Sequence, residues 1–114
     1  MLNFEKLKVW QKSIEYAHGL IIIADNLPPK YQYSFADQLR RSALSVASNI
    51  AEGAGRNSHK DRVNFYSIAK GSVYETVNIL KLLEKLGLID KSKSDLDKIY
   101  LSAEEIVKML YGLS

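Results

Sequence analysis

The chain has 114 residues, no Cys and a net charge of +3 at pH 7. That length suits one core, and the lack of Cys excludes disulfides, thiol catalysis and Cys-based zinc sites. With 46% hydrophobic and 25% charged residues the balance is that of a globular domain, and the slight basic excess permits an acidic partner without requiring one.

The N-terminal stretch from Met1 to Trp10 has no long apolar run before a cleavage site. The longest apolar run, Leu20 to Ala24, is far short of the ~20 residues that span a bilayer. The expectation is a cytoplasmic chain without a membrane partner, a single domain over residues 1–114.

Gly and Pro cluster at Pro28-Pro29, Gly53-Ala54-Gly55 and Gly87, and apolar residues recur at helical spacing between these breaks. The first helix is predicted over Phe4 to Asn26, ending because Leu27 precedes Pro28. Its core stripe is read as Leu7, Trp10, Ile14, Ala17 and Ile21. A second apolar stripe, Val9, Tyr16, Leu20 and Ile23, turns roughly 130° away. That stripe is either covered by neighbouring helices or meets another subunit. The uncharged, partly aromatic composition favours an oligomer interface.

The second helix is predicted over Phe35 to Ala54, with Ser34 as N-cap and Asp37 three residues on. Leu39, Ala43, Val46 and Ile50 form its core side, and small residues dominate its other sides. Arg41 and Glu52 lie about 16 Å apart along the axis, too far to pair with each other. Arg41, Asn49 and Glu52 therefore face water or hydrogen-bond to a neighbouring helix, with Ser72 and Glu75 as candidate partners. Asn49, Glu52, Ser72 and Glu75 are assigned structural roles.

The third helix is predicted over His59 to Leu86, with Ser58 as N-cap and Asp61 repeating the capping signature. Phe65, Ala69, Val73, Thr76, Leu80 and Leu83 point inward. Lys60, Lys70, Lys81 and Lys85 fall within about 80° of one another on the far side. The fourth helix is predicted over Ser94 to Tyr111, with a seam of Leu96, Ile99, Ala103, Ile106, Leu110 and Leu113. Short links favour antiparallel neighbours, so the fold expected is an all-α, up-down-up-down four-helix bundle.

Positive charge concentrates in the middle two helices and their link. The row of lysines is either a solvated face or a surface for phosphates, which would position a nucleic-acid backbone without reading bases. On the second reading Arg40, Arg41, Arg56, Lys60, Arg62, Lys70, Lys81 and Lys85 are the candidate contacts.

Catalytic chemistry finds no foothold. His18 and His59 have no matched acid or nucleophile, and no His-x-x-x-His or Glu-x-x-His pair exists. Asp95/Asp97 and Glu104/Glu105 point apart on a helix, which makes poor acid–base pairs. Gly53-Ala54-Gly55-Arg56 follows a helix and lacks the Lys-Ser/Thr ending of a phosphate loop. Arg56 and His59 stand too close together for the Arg-to-His motif of small helical ribonucleases. The reading is non-enzymatic, with no metal and no cofactor.

The string from Gln38 to Arg56, QLRRSALSVASNIAEGAGR, resembles the signature of the four-helix-bundle family named after the 23S rRNA intervening sequence. Phe4 to Gln11 (FEKLKVWQ), Ile68 to Glu75 (IAKGSVYE) and Glu104 to Leu113 resemble its other conserved stretches, so the likeness covers essentially the whole chain. Val46-Ala47 stands where the family more usually has Ile-Pro. The resemblance implies a homopentameric bundle without established catalytic activity. It also implies likeness to the basic pentameric accessory variability protein of diversity-generating retroelements, which works with nucleic acid. Together these readings favour a homo-oligomer, with pentamer the expected state, that binds RNA or DNA. A protein-interaction scaffold is the alternative, and a small ribonuclease the least favoured.

Overall fold

The computed structural model describes residues 1–92 and 95–113. Four helices make up the fold: α1 (Lys8–Asp25), α2 (Phe35–Ala54), α3 (His59–Lys85) and α4 (Leu96–Gly112). Short 3-10 turns, Asn3–Lys6 and Pro29–Tyr31, precede α1 and α2. The molecule measures 44 × 25 × 24 Å. No strand occurs among the described residues.

Side-chain contacts fix the direction of every neighbouring pair. Asn3 bonds the Ala54 carbonyl while Arg40 meets Asp25, so α1 and α2 run antiparallel. Gln38 meets Glu75 and Ser45 meets Ser72, which sets α2 against α3 in the same sense. Lys70 lies over the Tyr111 ring and Lys81 over the Tyr100 ring, which reverses α4 against α3. Lys12 pairs with Glu105 while Gly19 approaches Ile99, which closes the bundle between α4 and α1.

Local chemistry explains most of the ends. Ser58 Oγ accepts from the Asp61 amide at 3.1 Å, the expected N-cap of α3. Gly87, at φ 72°, ends α3, with the Leu88 amide donating to Leu83 O and the Gly87 amide to Glu84 O. That is a Schellman closure, and it places a residue where glycine is strongly favoured. Ser34 precedes α2 but does not cap it, because its hydroxyl turns back to the Tyr31 carbonyl at 3.4 Å. The first helix starts later than predicted. Leu7 is extended (φ −74°, ψ 125°), which separates the first 3-10 turn from α1 and packs Phe4 on Trp10 with ring centroids 4.9 Å apart. The predicted start of the last helix at Ser94 lies outside the described residues.

The core matches the predicted seams in α2, α3 and α4 with small changes. Leu39, Ala43, Val46 and Ile50 are fully buried, as are Leu80, Leu83, Leu96, Ile106 and Leu110. Tyr66 takes the inward position on α3 that was expected of Phe65, which is half-buried. Leu113, expected on the α4 seam, is 40% exposed.

Helix α1 overturns its prediction. Val9, Tyr16 and Leu20, assigned to a subunit interface, are buried inside this chain, and Ile23 packs against the same core. Ile14, assigned to the core, is 43% exposed. The cause is polar residues that count as buried because their hydrogen bonds are met internally. Ser13 is fully buried and donates to the Trp10 carbonyl at 2.6 Å. The Tyr16 hydroxyl meets Thr76 Oγ1 at 2.7 Å, and Thr76 also donates to the Val73 carbonyl. Hence the centre of the inward face runs along Ser13, Ala17, Leu20 and Ala24 rather than along the expected stripe. Among the described residues no buried side-chain nitrogen or oxygen lacks a partner.

Two outcomes follow from the α1 packing. Leu20→Glu places a carboxylate in a dry site and should abolish the cooperative thermal transition seen by circular dichroism, whereas Ile14→Glu should leave it within a few degrees of the parent. Equal melting of the two variants would contradict the burial. The Tyr16 phenol is pushed up from 10.0 to about 12 by burial, partly opposed by the Thr76 hydrogen bond. Between those values the unfolded chain loses a proton that the folded chain keeps. Its contribution is therefore full below about pH 10 and lost as pH rises toward about 12. Tyr16→Phe should cost about 0.5–1.5 kcal/mol at neutral pH and flatten the stability decline above pH 10 in urea melts. A decline as steep as the parent's would refute it.

Candidate nucleic-acid interface

The eight predicted cationic contacts divide into two groups with different surroundings. The arginines are engaged in holding helix ends and links. Arg40 Nε donates to Asp25 Oδ1 at 3.0 Å, and its guanidinium also meets Gln32 Oε1. Gln32 in turn donates to the carbonyls of Ala24 and Leu27, so this cluster ties the end of α1 to α2. Arg62 donates to the carbonyls of Arg56 and Asn57 at 3.1 and 2.9 Å, closing the link between α2 and α3. Arg56 lies 4.7 Å over the Phe65 ring and 3.7 Å from Glu52. Arg41 pairs with Asp37 at 2.8 Å on the exposed face of α2.

The lysines are freer. Lys60 and Lys85 are exposed, and among the described residues no ion pair holds them. Lys70 Nζ sits 3.8 Å from the centroid of the Tyr111 ring, and Lys81 Nζ 4.0 Å from that of Tyr100. Such contacts contribute about 0.5–1 kcal/mol at exposed sites and leave the cation accessible. The Tyr100 hydroxyl donates to Glu84 at 2.7 Å, and burial, reinforced by that carboxylate, raises its pKa so that the ring stays neutral.

Of these lysines Lys81 lines a groove between α3 and α4 with a volume of about 630 Å³. Val73 and Val77 from α3 and Ala103 and Val107 from α4 form its apolar floor. Tyr74, Asn78 and Lys81 line one wall, and Tyr100, Glu104 and Lys108 the other. The sequence reading places Tyr74 at the margin of the lysine face but misses Lys108 and Tyr111 beside it. A signal existed: Tyr100, Glu104, Lys108 and Tyr111 step by 4, 4 and 3, which puts them on one side of a helix.

The polar residues assigned to structure join α2 to α3, partly through unexpected partners. Ser72 meets Ser45 Oγ at 2.8 Å, and Gln38 Nε2 donates to Glu75 at 2.6 Å. Asn49 bonds within α2, to the carbonyl and hydroxyl of Ser45, and Glu52 pairs with Arg56. Of the two alternatives for Arg41, Asn49 and Glu52, bonding to a neighbouring helix is not the one seen, because each finds a partner one turn away.

His18 and His59 are exposed, Asp97 pairs with Lys91 and Glu105 with Lys12. No group of three His, Cys, Asp or Glu able to hold a metal ion occurs among the described residues. No helix among them is long and apolar enough to cross a membrane.

Comparison with known proteins agrees with this architecture. A crystal structure of a protein of unknown function from the S23 ribosomal protein family, from Bacteroides thetaiotaomicron VPI-5482, is 27% identical with a TM-score of 0.82. The match covers 92% of this chain and 93% of that one. No curated protein matches significantly. The family profile described as 23S rRNA-intervening sequence protein matches residues 5–112. With the same four helices and a match across nearly its whole length, the chain belongs to the 23S rRNA-intervening sequence protein family.

Proposed function

We propose that the chain is a non-enzymatic, cytoplasmic protein that binds RNA or DNA and works as a homo-oligomer, with a pentamer as the state its family resemblance implies. The observation that supports binding most is the line of Lys60, Lys70, Lys81 and Lys85 on α3, joined across a groove by Lys108. Arg40 and Arg62 are held by internal partners, so the lysines, with the exposed Arg41, supply the cations available to phosphate. Each phosphate contact releases counterions, and a ring of subunits adds weak contacts together.

The oligomer reading needs a surface other than the buried stripe of α1. Ile14 on α1 and Leu44 on α2, at 43% and 64% exposure, supply apolar side chains on the adjacent helices. The same exposed side chains favour the alternative, a scaffold for another protein. Recovery of one protein partner after nuclease treatment would support that alternative.

Filter binding of oligonucleotides between about 50 and 200 mM salt tests the nucleic-acid reading. The expected plot of log affinity against log salt is steep. Replacing Lys70, Lys81, Lys85 and Lys108 by Gln should flatten it by about 0.7 for each lysine that touches a single-strand phosphate. No affinity at any salt would overturn the reading. Sedimentation tests the assembly: a mass several times the 12.9 kDa subunit is expected, reduced by Leu44→Glu without loss of helicity. A monomeric parent protein would contradict it.

A further inference from the structure

We infer that the α3/α4 groove binds a short single-stranded stretch of nucleic acid, with bases laid against the Tyr74 ring and the valine floor and phosphates on Lys81 and Lys108. The inference rests on the nucleic-acid reading above and specifies which form of the polymer the surface takes.

Three observations carry it. First, aromatic rings stand beside the cations. Tyr74, 63% exposed, lines the groove with Lys81, and Tyr111, 61% exposed, has Lys70 over its ring. Exposed rings flanked by lysines form a stacking platform for unpaired bases, which the stack of a duplex would hide. Second, the floor is apolar and recessed. Val77 and Val107, half-buried, accept the flat face of a base but offer nothing to a phosphate backbone. A duplex resting on the lysine rims would leave that floor unfilled.

Third, polar groups on both walls face a base edge. The Asn78 amide offers a donor and an acceptor to a base edge. Among the described residues Glu104 is the one carboxylate lining the groove, on the α4 wall with Lys108. It keeps phosphates at the rims while accepting from a base amino group.

Fluorescence anisotropy with the full-length protein tests this, using labelled ten-nucleotide oligo(U), oligo(dT) and a ten-base-pair duplex at one salt concentration. Either single strand should bind at least about tenfold more tightly than the duplex. Tyr74→Ala should weaken single-strand binding about tenfold or more, while Tyr74→Phe keeps it and duplex binding changes little in both. Circular dichroism checks that these variants remain folded, as the exposure of Tyr74 predicts. Equal affinity for duplex, or an unchanged Tyr74→Ala, overturns the single-strand inference and leaves nucleic-acid binding standing. Binding of none of the three probes overturns both. Tighter binding of a Leu/Glu-rich amphipathic peptide than of any oligonucleotide would show that the groove docks protein instead.

Discussion

The close approach of α2 to α3 sets the geometry on which the rest depends. A methyl group at Gly53 would stand 2.8 Å from Tyr66 Cε1 and 2.9 Å from Phe65 Cβ, so glycine alone fits that crossing without displacement. Further along, Ser45 and Ser72 meet through their hydroxyls at 2.8 Å. Small side chains bring the helices together, and short hydrogen bonds satisfy the polar groups that the contact buries. This packing fixes the rotation of α3 about its own axis. Ala69, Val73, Thr76, Leu80 and Leu83 turn inward, so the lysines must turn outward toward the side of α4.

The opposite seam is looser for a related reason. α3 packs far less extensively on α4 than on α2. Val73, Val77, Ala103 and Val107 meet there, and their short side chains do not fill the space between the helix axes. A groove remains, and the longer Lys, Tyr and Glu side chains stand around it. Arg40 and Arg62, with planar multidonor heads, hold the links between helices, a task that suits a rigid fork. Lys70 and Lys81 lie over aromatic rings, and Lys60 and Lys85 are exposed.

Much of this was legible in the amino-acid order. The bounds of α2, the Ser58 cap and the Leu96–Ala103–Ile106–Leu110 seam follow from spacing and local chemistry alone. The inward face of α1 did not, because Tyr16 is buried through a bond to Thr76, sixty residues away, that no local pattern announces. Ser13 looked polar and is fully buried through its own helix carbonyl. The candidate surface was half visible. The α3 lysines shared a face by periodicity, but their division from the arginines depends on partners in other elements. Lys108 and Tyr111 joined that face only when α4 was placed antiparallel beside α3.

The proposed nucleic-acid binding depends on the α3/α4 surface being the one that meets the strand. Photo-cross-linking a single strand that carries 4-thiouridine, followed by mass spectrometry of the digested protein, answers this most directly. Adducts are predicted on Tyr74, Tyr100, Tyr111 and their neighbours, within residues 70–81 and 100–111. Adducts confined to the α1–α2 side, around Ile14 and Leu44, would contradict the account.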